Sequence, residues 1–276
     1  MSRRRSTIAA AAVALLCAAP AGAQVPLPPL GSPQPPPDEE QAPAPDHGGQ
    51  AADERPARAD RPRRPVRAAV SNERTRTRGA HALTRAVARV RPHKGARRVT
   101  RLRYDTEDGF PEVYVVLARY TDSAGRQWLK VRLPMRPNGR TGWVRRSALG
   151  GLHTVDTFLR IDKHRLRATL CRNGRRVWRA PVGIGKHGTE TPGGRFYIRE
   201  RLRVSSPGSL YGPLAFGTSA YSKLSDWPGG GVVGIHGTNQ PGLIPGRPSH
   251  GCIRLRNRDI VRLGRLMPIG TPVRIG

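Results

Sequence analysis

The stretch SHGCIRL, residues 249–255, together with the upstream block His236-Gly237-Thr238, carries the chemistry of this 276-residue chain. Cys252 supplies a thiol, and His236 and His250 supply imidazoles. Nucleophilic acyl transfer needs a nucleophile, a base and access for a substrate carbonyl. His236 and Cys252 are well separated along the chain, so the fold has to bring them together. The pattern predicts a cysteine-dependent acyl-transfer site.

Cys252 is the predicted nucleophile, because a thiolate attacks an amide carbonyl and leaves a thioester. His236 is the predicted general base, because it follows the apolar run 231–235, which indicates a rigid strand end. Gly251 has no side chain, so a substrate carbonyl has room to approach. The guanidinium of Arg254 has the geometry to bind a substrate carboxylate. Shaping and supporting roles are assigned to Ser249 and His250.

These residues have two other interpretations. A lone cysteine and a lone histidine are more often core residues than catalytic ones. His236, His250 and Cys252 are also ligand types that zinc accepts, but they are only three and have no CxxC or HExxH spacing. The sequence therefore predicts neither a metal nor a cofactor.

The N-terminus predicts export. Arg3, Arg4 and Arg5 precede an apolar run at residues 8–19, and Ala21-Gly22-Ala23 forms a small-residue cleavage site. This is the pattern of a secretory signal peptide over residues 1–23, and the run is shorter than the roughly 20 residues of a membrane anchor. We expect a protein secreted across the cytoplasmic membrane, into the periplasm or cell wall of a bacterium.

The net charge of +30 predicts an anionic partner. Nucleic acid is one candidate, but export argues against it and aromatic residues make up only 5% of the chain, leaving few platforms for base stacking. A cell wall rich in carboxylates and phosphates is the predicted partner. After export the chain keeps two cysteines, Cys171 and Cys252, enough for one disulfide. Cys171 is interpreted instead as a small buried residue.

Composition divides the exported chain into three parts. Residues 24–79 are rich in proline and arginine and predict a disordered linker. Residues 80–150 contain short alternating runs separated by turns, which predict a small β-barrel. Residues 153–276 predict a β-rich domain with a hairpin at Asn173-Gly174, one helix capped by Asn257 and a last strand at 272–275.

The motifs resemble a known family. His236-Gly237, Ser249-His250-Gly251-Cys252 and the following Arg254-Leu255 resemble the catalytic signature of the L,D-transpeptidases of the YkuD family, and Thr191-Pro192-Gly193-Gly194 resembles the loop that precedes it. The likeness covers residues 154–276. Residues 80–150, with Gly142-Trp143-Val144 near their end, resemble a bacterial Src-homology-3-like domain. The resemblances imply a mainly β fold: a small Src-homology-3-like barrel, then a β-sandwich-type catalytic domain with one or two short helices.

The family resemblance also implies an activity. Cys252 would attack a peptidoglycan tetrapeptide stem after the L-centre of diaminopimelate and release D-alanine, and an amine of a neighbouring stem would form a 3→3 cross-link. Backbone N–H groups around His250, Gly251 and Cys252 would hold the oxyanion, a carbonyl near Gly237 would orient His236, and carbapenem β-lactams would inhibit. The alternatives are an L,D-carboxypeptidase that uses water and a non-catalytic cell-wall-binding protein.

Overall fold

A computed structural model describes residues 64–276, apart from residues 207 and 227. The predicted signal peptide over residues 1–23, and the larger part of the predicted linker, lie outside the described residues. Strands dominate what is described, as the sequence predicted, and they form two sheets. Within the described residues, no helix has the length and apolar character that crossing a membrane requires.

The first sheet has eight strands, in the order β4-β3-β7-β6-β5-β2-β8, with β1 pairing β5 as well. Leu102, Val116, Leu129, Val131 and Val144 are buried at its centre and form its apolar core. The strands are β1 (Val66–Ala69), β2 (Thr77–His81), β3 (Val87–Arg89), β4 (Arg98–Arg101), β5 (Val113–Thr121), β6 (Gln127–Arg132), β7 (Thr141–Arg145) and β8 (His153–Val155).

Gly142 allows strands β3 and β7 to pack closely. A Cβ at this position would lie 2.8 Å from the Cβ of Ala88, so β7 can approach β3 only with a glycine there. The predicted runs of residues 80–150 are strands in the structure. Their assignment to the Src-homology-3-like family, and the domain boundaries drawn around them, stay predictions.

Two boundaries differ from the sequence prediction. β1 and β2 begin within residues 24–79, which composition assigned to a disordered linker. Both are antiparallel partners of β5, and that central strand supplies the backbone hydrogen-bond partners that their own polar sequences do not reveal. Residues 153–276 were predicted as one β-rich domain, but β8 (His153–Val155) belongs to the first sheet and the next strand starts at Thr157 in the second.

The second sheet has ten strands and carries the candidate site. Its order is β11-β10-β9-β18-β13-β14-β15-β17-β12-β16. The strands are β9 (Thr157–Asp162), β10 (Arg167–Arg172), β11 (Arg175–Pro181), β12 (Gly183–Gly185), β13 (Gly194–Arg203), β14 (Leu214–Tyr221), β15 (Val232–His236), β16 (Gly246–Ser249), β17 (Ile253–Arg254) and β18 (Pro272–Ile275). Short 3-10 helices occur at Arg146–Ala148, Pro228–Gly231 and Pro241–Leu243.

Strand β13 joins the two halves of this second sheet. Its first residues pair with β18, and from Ile198 onward it pairs with β14. Apolar side chains from both halves, such as Leu159, Phe196, Phe216 and Ile253, belong to one buried cluster. The predicted sandwich is therefore one continuous sheet that curls around a single core.

Local signals predicted the hairpin and the helix. Asn173 and Gly174 have φ angles of 50° and 79°, the left-handed pair that a tight hairpin turn requires. The helix α1 (Asn257–Leu266) buries Ile260 and Leu263. The predicted cap was wrong: Arg256 occupies the N-cap position without a side-chain cap, and Asn257 is the first helical residue.

The two sheets meet through buried charges. Arg199 of β13 and Glu112, next to β5, are both fully buried, and Arg199 Nε lies 2.9 Å from Glu112 Oε1. Arg199 Nη1 lies 2.8 Å from Glu107 Oε2. Burial alone would raise the pKa of Glu107, but the charge of Arg199 and a hydrogen bond from Tyr221 hold it at about 2. The Arg199 guanidinium of the second sheet thus binds two carboxylates, Glu107 and Glu112, from the segment between β4 and β5 of the first sheet.

Candidate active site

Parallel pairing brings the predicted base beside the predicted nucleophile. Strands β15 and β17 pair with Ile235 opposite Ile253 and His236 opposite Arg254. Ile235 and Ile253 are fully buried in the core, which anchors both strands. Cys252 immediately precedes β17, level with Gly234 of β15. The sheet therefore converts two distant sequence motifs into neighbours.

Gly234 lies between the reactive side chains. A Cβ at this position would lie 3.5 Å from Cδ2 of His236 and 3.7 Å from Sγ of Cys252. The backbone N–H of Gly234 donates to Cys252 Sγ over 3.4 Å. A glycine here leaves the space between thiol and imidazole open and still supplies a donor to the sulfur.

The His236 ring is held by the next residue. Its Nδ1 lies 2.7 Å from the carbonyl oxygen of Gly237, which only accepts, so Nδ1 carries the proton. In the neutral ring Nε2 is then the acceptor, which a general base requires. This is the carbonyl contact predicted for Gly237. Burial, opposed by that hydrogen bond, lowers the pKa of His236 to about 4, so the ring is neutral at pH 7.

The thiol is also neutral in the resting site. Burial raises the pKa of Cys252, although the Gly234 N–H and the charge of Arg254 act in the opposite direction. A neutral thiol beside a neutral imidazole differs from a pre-formed thiolate. A nucleophilic role for Cys252 would therefore require a neighbouring group to accept the thiol proton during attack.

Hydrogen bonds fix the loop that carries Cys252. Ser249 Oγ donates to the Cys252 carbonyl oxygen over 2.6 Å and accepts from the Gly251 N–H over 3.2 Å. The Gly251 carbonyl oxygen accepts from Thr191 Oγ1 at 2.8 Å. Gly251 has a φ of 124°, a conformation that favours glycine. Ser249 is thus a support, as predicted, while the Gly251 N–H, predicted as an oxyanion donor, is occupied by Ser249 in this conformation.

Arg254 and His250 flank the nucleophile. Arg254 Nη1 donates to Gln240 Oε1 over 3.3 Å, and its Nε is buried with no hydrogen-bond partner among the described residues. A buried guanidinium nitrogen without a partner is costly, so an arriving acceptor is favoured there. His250 is half-buried in the bend before Gly251.

Sequence reasoning assigned no role at the site to three residues, although Thr191 belongs to the loop motif quoted above. Thr191 Oγ1 links the Gly185 N–H, at 2.9 Å, to Gly251. The Tyr211 ring lies with its centroid 4.8 Å from that of His236, and burial raises the pKa of Tyr211. Tyr211 follows a polar stretch whose local pattern gives no sign of this contact.

Asn257 is the third missed residue. Its Oδ1 accepts from the Thr238 N–H at 2.8 Å, and a Cβ on Gly212 or Gly237 would lie 2.3 Å or 2.5 Å from the same oxygen. The side chain thus holds the His236-Gly237-Thr238 block against α1 instead of capping the helix. A polar residue at a helix start suggested only a cap.

Both cysteines of the described chain are free. Cys171 was predicted to be buried, but it is half-exposed on the outer face of β10, opposite Phe158 of β9. The bulge between Leu170 and Cys171 and the outward register put it there. Among the described residues, no cluster of three or more His, Cys, Asp or Glu side chains is arranged to share a metal ion.

A family model described as the L,D-transpeptidase catalytic domain, YkuD, matches residues 156–275. The putative L,D-transpeptidase YkuD of Bacillus subtilis is 38% identical over 123 residues, which cover 45% of this chain and 68% of that protein. The probable L,D-transpeptidase YbiS of Escherichia coli is 51% identical over 111 residues, or 34% of this chain and 35% of that one.

Solved structures match over a similar part of the chain. An Enterococcus faecium L,D-transpeptidase carrying a C442S substitution is 23% identical, covering 44% of this chain and 49% of that chain, with a TM-score of 0.35. After the Bacillus subtilis YkuD protein, the next two curated relatives are matched over 50% and 56% of their length, so the chain spans about half of them.

Proposed function

Because the chain belongs to the YkuD family of L,D-transpeptidases, we propose that it is an exported peptidoglycan L,D-transpeptidase that works through a thioester on Cys252. The observation that carries this proposal is the His236 ring. Its Nδ1 bond to the Gly237 carbonyl leaves Nε2 as acceptor, and the Cδ2 edge beside Nε2 shares the space over Gly234 with the Cys252 sulfur.

The proposed first half-reaction consumes a tetrapeptide stem. His236 Nε2 takes the thiol proton as the sulfur of Cys252 attacks the carbonyl carbon after the L-centre of diaminopimelate. The tetrahedral intermediate collapses, the bond to the D-alanine nitrogen breaks, and the imidazolium returns the proton to that nitrogen. D-Alanine leaves and the acyl group stays on sulfur as a thioester.

The second half-reaction regenerates the thiol. A side-chain amine of a neighbouring stem attacks the thioester, His236 takes a proton from the attacking nitrogen, and the C–S bond breaks with the proton returned to sulfur. A 3→3 cross-link results. Water in place of the amine gives the alternative activity, an L,D-carboxypeptidase. No contact of the described residues favours one acceptor over the other.

An arginine row supports the proposed attachment to an anionic wall. Cross-strand pairing places Arg179, Thr169, Arg160, Arg274 and Arg195 side by side across β11, β10, β9, β18 and β13. All four arginines are exposed. Like charges in neighbouring strands repel, and two carboxylates offset only part of the repulsion: Asp162 lies 3.3 Å from Arg160 and Glu73 lies 3.9 Å from Arg195. A partner of opposite charge would offset the rest. The row lies on strands away from β15 and β17, and attachment there would leave Cys252 accessible.

Purified protein with isolated tetrapeptide muropeptides tests the activity. Dimers and released D-alanine, identified by mass spectrometry under reducing conditions, are expected from the transpeptidase. Tripeptide with D-alanine but no dimer would identify the carboxypeptidase instead. Cys252→Ala should abolish both, and Cys171→Ser is the matched control that should retain them. If the wild-type protein releases no D-alanine, the proposal is wrong.

Labelling by a carbapenem separates an enzyme from the third alternative, a wall-binding protein without turnover. An acyl adduct on Cys252 is expected, as the mass of the intact protein will show, and it should be absent in Cys252→Ala. A protein that only binds peptidoglycan would give no adduct. Inhibition by carbapenems is therefore part of the proposal.

A further inference from the structure

A basic cleft of about 790 Å³ lies next to the backbone that carries the nucleophile. Two of its lining residues contact that backbone. Thr191 donates to the Gly251 carbonyl oxygen, and the Cβ of Ser222 would lie 3.1 Å from a Cβ on Gly251. A ligand in this cleft therefore lies beside the residue that precedes Cys252.

The wall of the cleft comes from both sheets. Asn138, in the loop between β6 and β7, accepts from the Tyr221 N–H at 2.9 Å and donates to the Tyr221 carbonyl oxygen at 2.8 Å. Arg136 donates to the carbonyl oxygens of Ser222 and Leu224 at 3.2 Å and 3.1 Å. Its guanidinium carbon lies 4.7 Å from the centroid of the Tyr221 ring. The first sheet thus holds the segment after β14 in place.

Positive charge dominates the lining. Lys163, Lys223 and Arg136 face one carboxylate, Glu190. Lys223 Nζ lies 3.7 Å from Glu190 Oε2, and its side chain is 76% exposed. Lys163 Nζ donates to the Thr191 carbonyl oxygen at 3.2 Å. A peptide carboxylate entering the cleft meets two ammonium groups with donors to spare, since each carries three N–H bonds.

We propose that this cleft binds the carboxylate-bearing end of a peptide substrate, with Lys163 and Lys223 as its charged contacts and the 136–138 loop as its wall. The proposal rests on the proposed function, because it assigns the cleft to the stem peptide that Cys252 attacks. It gives the first sheet a direct part in substrate binding. The ligand class is a peptide with a free α-carboxylate close to the scissile bond.

Equilibrium binding tests the cleft without turnover. In the Cys252→Ala background, fluorescence anisotropy compares a labelled tetrapeptide stem with its C-terminal amide. The free acid should bind at least about fivefold more tightly, because its carboxylate forms two exposed ion pairs, with Lys163 and Lys223, that the amide lacks. Lys163→Glu with Lys223→Glu should remove that preference and leave the amide's affinity within about twofold. The matched control is Arg91→Glu with Lys94→Glu, two exposed positions with the same change of charge.

Equal affinity for acid and amide, or a preference that survives the double reversal, would overturn the cleft proposal. Neither result bears on turnover by the wild-type protein, which tests the proposed function separately. A second variant, Asn138→Ala, tests the loop. KM for the stem should rise about fivefold with kcat nearly unchanged. This rise corresponds to the loss of the two hydrogen bonds between Asn138 and the Tyr221 backbone. The rate of carbapenem labelling at Cys252 should be unchanged, because the loop does not contact the sulfur. A fall in both kcat and the labelling rate would assign the loop a purely structural role and contradict the proposal.

Discussion

The two sheets of this protein contribute in opposite ways. The ten-stranded sheet contains both side chains of the proposed reaction, Cys252 and His236, and its parallel pair β15 and β17 brings them together. The eight-stranded sheet offers no comparable reactive pair among its described residues, and it reaches the site through the 136–138 loop and through carboxylates that bind Arg199. Chemistry in one region and positioning in the other have different sequence signatures: reactive motifs stand out, whereas positioning contacts depend on distant partners.

Removing the base should give the largest loss of activity. In His236→Asn the side chain no longer accepts the thiol proton, so the second-order rate of Cys252 acylation should fall about 10²- to 10⁴-fold. The melting temperature should stay within a few degrees. Stopped-flow measurement with a carbapenem checks the rate, and Lys94→Gln, at an exposed position, serves as a contrast with an unchanged rate. A variant that keeps the wild-type rate would remove His236 from the mechanism.

Breaking the buried charge pair tests the first sheet by stability. In Glu112→Ala, Arg199 keeps its charge in a fully buried position without that carboxylate, and unfolding free energy should fall by about 3–5 kcal/mol. Urea unfolding followed by circular dichroism measures it. Glu190→Ala, a carboxylate that is 40% exposed, should cost less than about 1 kcal/mol. Equal losses in both variants would show that the buried contact does not couple the sheets.

Asn257, the first residue of α1, should affect the rate of Cys252 acylation as well as the stability of the helix. Asn257→Ala leaves the Thr238 N–H without its acceptor and frees the His236 block, a cost of about 1–3 kcal/mol. Acylation of Cys252 should slow by about tenfold or more. Asn257→Asp keeps the acceptor oxygen and should restore most of the rate. If the alanine variant loses stability but acylates at the normal rate, Asn257 only supports the helix.

The pH dependence of stability and of Cys252 acylation tests the burial of His236. The pKa of His236 is about 4 in the fold and near 6.5 in the unfolded chain, so the unfolded chain takes up the proton first as pH falls. Its contribution to stability is complete above pH 6.5 and is lost progressively toward pH 4. The acid limb of Cys252 acylation should therefore lie near pH 4. A limb near pH 6.5 would show that the ring is solvated during reaction.

The smallest expected effect concerns the arginine row. Arg160→Gln with Arg274→Gln should reduce retention on isolated cell walls about two- to fivefold at low salt, and the difference should shrink as salt screens the surface charges. Pelleting assays across a salt series measure it, with Arg91→Gln and Lys94→Gln as the control of equal charge. Carbapenem acylation of Cys252 should not change. Unaltered retention would assign wall attachment to another surface.

The sequence alone determined the candidate site residues and the local turns. Cys252 and His236 were proposed because their motifs resemble those of a known family, and Asn173-Gly174 was predicted as a turn because a left-handed pair of residues favours those types. The class of fold followed from alternating apolar runs, whose period of two is a property of the chain itself.

Only the tertiary structure decided the rest, because it depends on partners far away in the sequence. Strands β1 and β2 exist because β5 offers hydrogen bonds to a polar stretch that composition assigned to a linker. The roles of Tyr211 and Asn257 arise from contacts with residues 25 and 19 positions away, which no local period encodes. The low pKa of His236 comes from burial, which only the assembled sheet provides.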